Sequence, residues 1–198
     1  MKLKIYRLAL FCGTLGLFAC KPEVNMPKPR GYFKIDLPEK RAYQPFDSVG
    51  FPYTFEYPVY GKIDQDTAMI KEEGQPYWVN VNIPSLNAVI YLSYKTVLPG
   101  VSINSLVNES YKLTNAHQKK ADFIDAPSIT TPSGLNGVFY TVGGDAASTY
   151  QFYVTDNKKH FMRGSLYFNT LPNADSLAPA AAFLKTDLEH LINSLSFR

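Results

Sequence analysis

Four aromatic side chains spaced two apart, Phe51, Tyr53, Phe55 and Tyr57 in FPYTFEYP, constrain this chain's fold more than any other feature. A period of two puts all four on one side of an extended strand, whereas a helix would scatter them around its axis. The same alternation returns in YWVNVNIP (77–84), where Val79, Val81 and Ile83 oppose Trp78, Asn80 and Asn82. AVIYLSYK (88–95) follows after Pro-Ser-Leu-Asn and reads as the second arm of a hairpin, stopped by Pro99-Gly100. Four more strands are expected at 122–131, 135–142, 148–155 and 160–168, with turns at Gly143-Gly144-Asp145 and Asp156-Asn157-Lys158.

Two segments carry the helical period instead. Ile103, Leu106, Val107, Leu113 and His117 fall near one face of a helix over 102–121, with Ser102 as N-cap. In the last segment Asp175 or Ser176 is the expected cap and Pro179 is placed in the first turn. Leu177, Ala181, Leu184, Leu188, Leu191 and Leu195 then form one stripe. The expected fold is α+β, a mainly antiparallel sheet of six or seven strands flanked by two amphipathic helices. The terminal helix and its INSLSF ending resemble the Mog1/PsbP-like sandwich.

Both cysteines, Cys12 and Cys20, lie in the first twenty residues. Lys2, Lys4 and Arg7 precede an apolar run, Leu8 to Phe18, that is shorter than the roughly 20 residues of a membrane-spanning helix. It suits a secretory signal segment, whose apolar part is about 7–15 residues long. Leu17-Phe18-Ala19-Cys20 is similar to a bacterial lipobox, with Phe18 the departure from its usual small or branched residue. Residues 1–19 are therefore expected to leave as a lipoprotein signal peptide, and Cys20 to carry diacylglycerol, with its amino group acylated, for example by palmitate. A single acyl chain holds only marginally, so two or three make the anchor stable. Seven prolines between Lys21 and Pro58 keep that stretch out of helix. Residues 20–30 read as an extended tether, 31–50 as an arm docked through Tyr32, Phe33, Ile35 and Leu37, and 51–198 as a single globular domain.

Twenty basic residues face 17 acidic ones, but three of the basic ones belong to the signal segment, so the processed chain is neutral. Nucleic-acid binding needs clustered basic charge, and the processed chain has no basic run longer than pairs such as Lys119-Lys120 and Lys158-Lys159. No metal or cofactor signature is present: the chain lacks H-E-x-x-H, a close His pair and a Gly-rich phosphate loop. Asp64-Gln65-Asp66 reads as a turn, and Glu72-Glu73 as part of a polar connection. His117 is expected in the core and His160 at the surface. Asp187, His190 and Ser194 share a helix face, but mid-helix N–H groups are already bonded and leave no oxyanion donors, so no catalytic residue is assigned.

STYQFYVTDNKKHFMRGSLYFN (148–169) concentrates aromatic residues on two neighbouring strands. Tyr153, Arg163 and Tyr167 are candidate interface residues, since Tyr and Arg are favoured at protein contacts; burial of the same face by helices is the competing reading. Arg163 has Tyr167 to stack on, or a buried acid to pair with.

PKPRGYFKIDLPEK, FEYP, IYLSYK, YQFYVTD, KHFMRGSLYFN and PNADSLAP resemble blocks of the GldD family, gliding-motility lipoproteins of Bacteroidetes. The resemblance runs from about Pro27 to Phe197, nearly the whole processed chain. It implies a lipoprotein of the gliding apparatus linked to type IX secretion, with machinery proteins and a membrane as partners and no enzyme activity. Only Cys20 carries over as a site. The chain is expected to face the periplasm; Lys21-Pro22-Glu23 has neither Asp directly after Cys20 nor an acidic run, so it selects neither the inner nor the outer membrane. A lipid-anchored enzyme with an unrecognised site and a carrier of a small hydrophobic ligand are the competing functions.

Overall fold

The computed structural model describes residues 34–65, 67–97, 100 and 102–198, without the side chains of 68, 69 and 73. The signal segment, Cys20, the tether and the first residues of the arm lie outside them. The described chain runs β1 (Tyr43–Phe46), β2 (Tyr53–Pro58), β3 (Lys62–Asp64), α1 (Thr67–Glu73), β4 (Val79–Ile83), β5 (Ala88–Thr96), α2 (Ile103–Asn115), β6 (Ala121–Asp125), β7 (Ser128–Thr130), β8 (Asn136–Gly144), β9 (Tyr150–Thr155), β10 (His160–Phe168), α3 (Ala174–Ser194) and β11 (Ser196–Phe197).

Eight strands form one sheet in the order β3-β4-β5-β10-β9-β8-β6, with β7 also paired to β8, and β1-β2-β11 form a second, smaller sheet. All pairings are antiparallel. The class is thus α+β, with one strand more in the main sheet than expected and a third short helix. That helix, α1, takes up the stretch around Glu72 expected to be a connection.

The alternating residues decide how the layers meet. Val79, Val81 and Ile83 of β4, Ile90 and Leu92 of β5, Phe152 and Val154 of β9, and Met162 and Leu166 of β10 are buried on one face of the main sheet. Against them lie the Ala181–Leu184–Leu188–Leu191 stripe of α3 and the Tyr53 and Phe55 rings of β2. Gly164, in the middle of β10, leaves room for the Phe152 ring on the neighbouring strand: a Cβ there would lie 2.0 Å from Phe152 Cε1.

Several local expectations are corrected. Asn173, not Asp175 or Ser176, caps α3: its side chain accepts from the Ser176 N–H at 2.9 Å, and Asp145 accepts from the Ala174 N–H at 2.8 Å. The helix therefore begins earlier, and Pro179 lies inside it rather than in its first turn. Ser102 does cap α2, but Leu113 is 46% exposed while Ser110 and Thr114 are buried against the sheet. His160 is buried, not at the surface: Asp156 draws the turn inward by accepting from the N–H groups of Lys158, Lys159 and His160, each at 2.9 Å. His117 is only half-buried, because α2 gives way at Asn115 to a tighter 3₁₀ turn that carries it.

Candidate functional site

The second face of the main sheet presents the other half of each alternation. Asn80 of β4, Tyr91 and Ser93 of β5, and Arg163, Ser165 and Tyr167 of β10 line a cleft of about 390 Å³, bordered by Ile70 of α1 and Trp78. A smaller cavity of about 80 Å³ adjoins it under α2, lined by Trp78, Ser93, Lys95, Leu106, Glu109, Phe161 and Arg163 among others. Register builds this floor: Arg163 pairs with Ser93 on one side and Tyr153 on the other.

Arg163 is common to both cavities. Its Nη2 donates to Gln151 Oε1 at 2.5 Å, while among the described residues its Nε and the Nε2 of fully buried Gln151 have no partner. Thr114 Oγ1 lies 3.1 Å from the same Gln151 oxygen and 3.0 Å from the Ser110 carbonyl. Among the described residues no carboxylate forms an ion pair with Arg163; the nearby acid, Glu109, is engaged by Lys95 Nζ at 3.0 and 3.1 Å. Burial pushes the Arg163 guanidinium below its usual range, an effect that Tyr167, Glu109 and Tyr140 oppose. Arginine remains charged nonetheless. His117, whose ring lies 6.3 Å from that of Tyr167, is also pushed down, by burial and then by the Arg163 charge.

The three candidate interface residues share this face but not one environment. Arg163 and Tyr167 line the cleft, and the Tyr167 ring meets that of Tyr91 edge-on at 5.7 Å. Tyr153 is half-buried and stacked on Phe161 at 5.4 Å, outside the cleft. Arg163 thus takes neither partner expected for it, bonding a neutral amide instead of stacking on Tyr167 or pairing with an acid. Trp78, Tyr91, Ser93 and Gln151 escaped sequence reading. The alternation of AVIYLSYK puts Tyr91 and Ser93 on one face, but nothing local says that β5 pairs with β10.

Asp187, His190 and Ser194 are drawn to different partners. Asp187 accepts from the hydroxyls of Tyr43, at 2.9 Å, and Tyr60, and pairs with Arg41 Nε at 3.0 Å. His190 stacks on Tyr43 and bonds Glu56 at 2.6 Å. Ser194 Oγ accepts from the Glu56 N–H at 2.9 Å. These contacts clamp β1 and β2 to α3. Among the described residues no group of three or more His, Cys, Asp or Glu is placed to hold a metal ion. The cleft offers a cation, hydroxyls, an amide and aromatic walls, an arrangement suited to recognition.

A family model described as gliding motility lipoprotein GldD matches residues 22–197. Among solved structures, the solution structure of cyanobacterial PsbP (CyanoP) from Synechocystis sp. PCC 6803 is 12% identical, with a TM-score of 0.47, over 80% of this chain and 94% of that one. No curated protein matches the chain.

Proposed function

The chain belongs to the gliding motility lipoprotein GldD family, and from that premise we propose that it is a lipid-anchored, non-enzymatic assembly component of the gliding machinery. Membership itself gives a role in that machinery and a membrane-associated place in the cell envelope. The finer reading is that thioether-linked diacylglycerol on Cys20 holds the protein on a membrane face toward the periplasm. There it would contact components of the gliding and type IX secretion apparatus. Among the described residues no helix is long and apolar enough to cross a membrane, which suits attachment by lipid.

The observation that carries the binding role is the cleft around Arg163. Among the described residues its titratable lining is Arg163, Tyr91 and Tyr167, with Lys95 and Glu109 tied to each other alongside. Among the described residues Ser93 and Ser165 have no histidine or carboxylate beside them in that lining to act as base. A carrier of purely hydrophobic ligands fits the aromatic walls but not a guanidinium on the floor, whose desolvation such a ligand would leave uncompensated.

Crosslinking in living cells followed by capture of the tagged full-length protein tests this reading, with Cys20→Ser as the unanchored control. Enrichment of gliding or secretion components by the wild type, and their loss with Cys20→Ser, is expected. Capture of no such component would remove the assembly role, and an unmodified Cys20 thiol in mass spectra of the processed protein would remove the anchor.

A further inference from the structure

We propose that the cleft over Arg163 receives the C-terminal carboxylate of a partner polypeptide ending in an apolar or aromatic residue. This rests on the binding role above and gives it a chemical address. Among the described residues Arg163, which lines the cleft, has a neutral amide as its one hydrogen-bond partner and no carboxylate in an ion pair with it, so its charge meets no counter-ion there. A carboxylate matches the guanidinium fork with two parallel bonds.

The surroundings select a single negative charge. Lys95, the second cation among the described lining residues of the two cavities, is held by both oxygens of Glu109, and that acid lines the adjoining cavity, where it would repel a dianion such as phosphate. Ile70, Trp78, Tyr91 and Tyr167 offer an apolar wall for the last side chain, and Asn80, Ser93 and Ser165 offer donors and acceptors for the last peptide group. At 390 Å³ the cleft falls within the range of about 300–1,000 Å³ usual for small-ligand sites. It is open at the side where Tyr91 is 40% exposed, which lets the rest of a chain leave.

Trp78 is the only tryptophan in the sequence and lines the cleft, so its fluorescence reports occupancy. The full-length protein is titrated with the tripeptide Ala-Ala-Phe, with its C-terminal amide, with 3-phenylpropionate and with inorganic phosphate. The free-acid tripeptide should give a saturable change in emission. The amide, and the Arg163→Gln variant with the acid, should bind about tenfold or more weakly, the factor expected for one lost charge-assisted hydrogen bond. Equal binding of acid and amide, or no saturable response to the acid, overturns the proposal, and this comparison needs only the wild-type protein if Arg163→Gln does not fold. Undiminished binding by a folded Arg163→Gln protein, or tighter binding of phosphate, overturns it too. Binding of 3-phenylpropionate as tight as that of the tripeptide overturns the chain-end assignment. If the cleft fails these tests while machinery components are still captured from cells, the assembly role stands without it.

Discussion

Asp187 shows how a single residue can hold two parts of the molecule together. It sits within the leucine stripe of α3, fully buried, yet its oxygens are met by two tyrosine hydroxyls and an arginine from the segment 41–60. A buried carboxylate is tolerable only with such compensation. Its removal leaves the Tyr43 and Tyr60 hydroxyls without their acceptor and frees Arg41, which also lies 4.3 Å above the Phe183 ring. Asp187→Ala should lower unfolding stability by about 3 kcal/mol, and Asp187→Asn, which keeps one acceptor, by roughly half of that. Urea denaturation measures both; equal and negligible losses would mean that the clamp contributes nothing. In the sequence this residue points toward His190 and Ser194, because helical spacing identifies residues that share a face but not what approaches them from 127 or 144 residues away.

At the scale of elements, the strands were legible and their neighbours were not. The alternations at 51–58, 77–84 and 88–95 each mark a strand, Tyr53–Pro58, Val79–Ile83 and Ala88–Thr96, because one buried face leaves its pattern in the sequence. Pairing order left no such mark. The central β5–β10 pairing, nine residues long, joins segments about seventy residues apart, and it creates the cleft floor. Helix α2 shows the opposite error. Helical spacing extends its apolar stripe through Leu113, but small Ser110 and Thr114 make the close approach to the sheet. Leu113→Gln should therefore change stability by less than about 0.5 kcal/mol, whereas Leu106→Ala should cost about 2–3 kcal/mol. Strand β10 offers a sharper test. Gly164→Ala drives a methyl group into the Phe152 ring and should cost about 2 kcal/mol. In the double variant with Phe152→Leu the loss should be smaller than the sum of the two single losses, since the smaller side chain vacates the space. Strict additivity would show that the ring moves aside freely.

For the whole molecule, the burial of several tyrosines and of His160 makes pH the most informative variable. Composition announced the tyrosines, but only the packing of two sheets on α3 reveals which of them lose contact with water. Burial pushes up Tyr43, to about 12, and it is also the leading cause of the upward shifts at Tyr53, Tyr60 and Tyr94. The unfolded chain releases these protons near pH 10.0 while the folded one retains them, so stability must fall as pH rises from 10.0 toward 12. Histidine gives the opposite limb. His160, held against Tyr94 at 2.6 Å and stacked on Phe197, is pushed below 6.5 by burial and by Lys159, more than Asp156 restores. His117 shifts the same way. Below 6.5 the unfolded chain binds protons that the folded chain refuses, and stability falls with falling pH. Asp156 adds a later step. Burial alone would raise its carboxyl, but the three N–H groups it accepts from outweigh that and hold it below 3.8, so its contribution is lost only in stronger acid. Urea midpoints measured across pH should trace a plateau between 6.5 and 10.0 that declines on both sides. His160→Gln should flatten the first part of the acid decline and leave the alkaline one in place. An acid decline that begins only near 3.8 would mean that His160 and His117 take up protons in the folded protein as readily as in the unfolded chain.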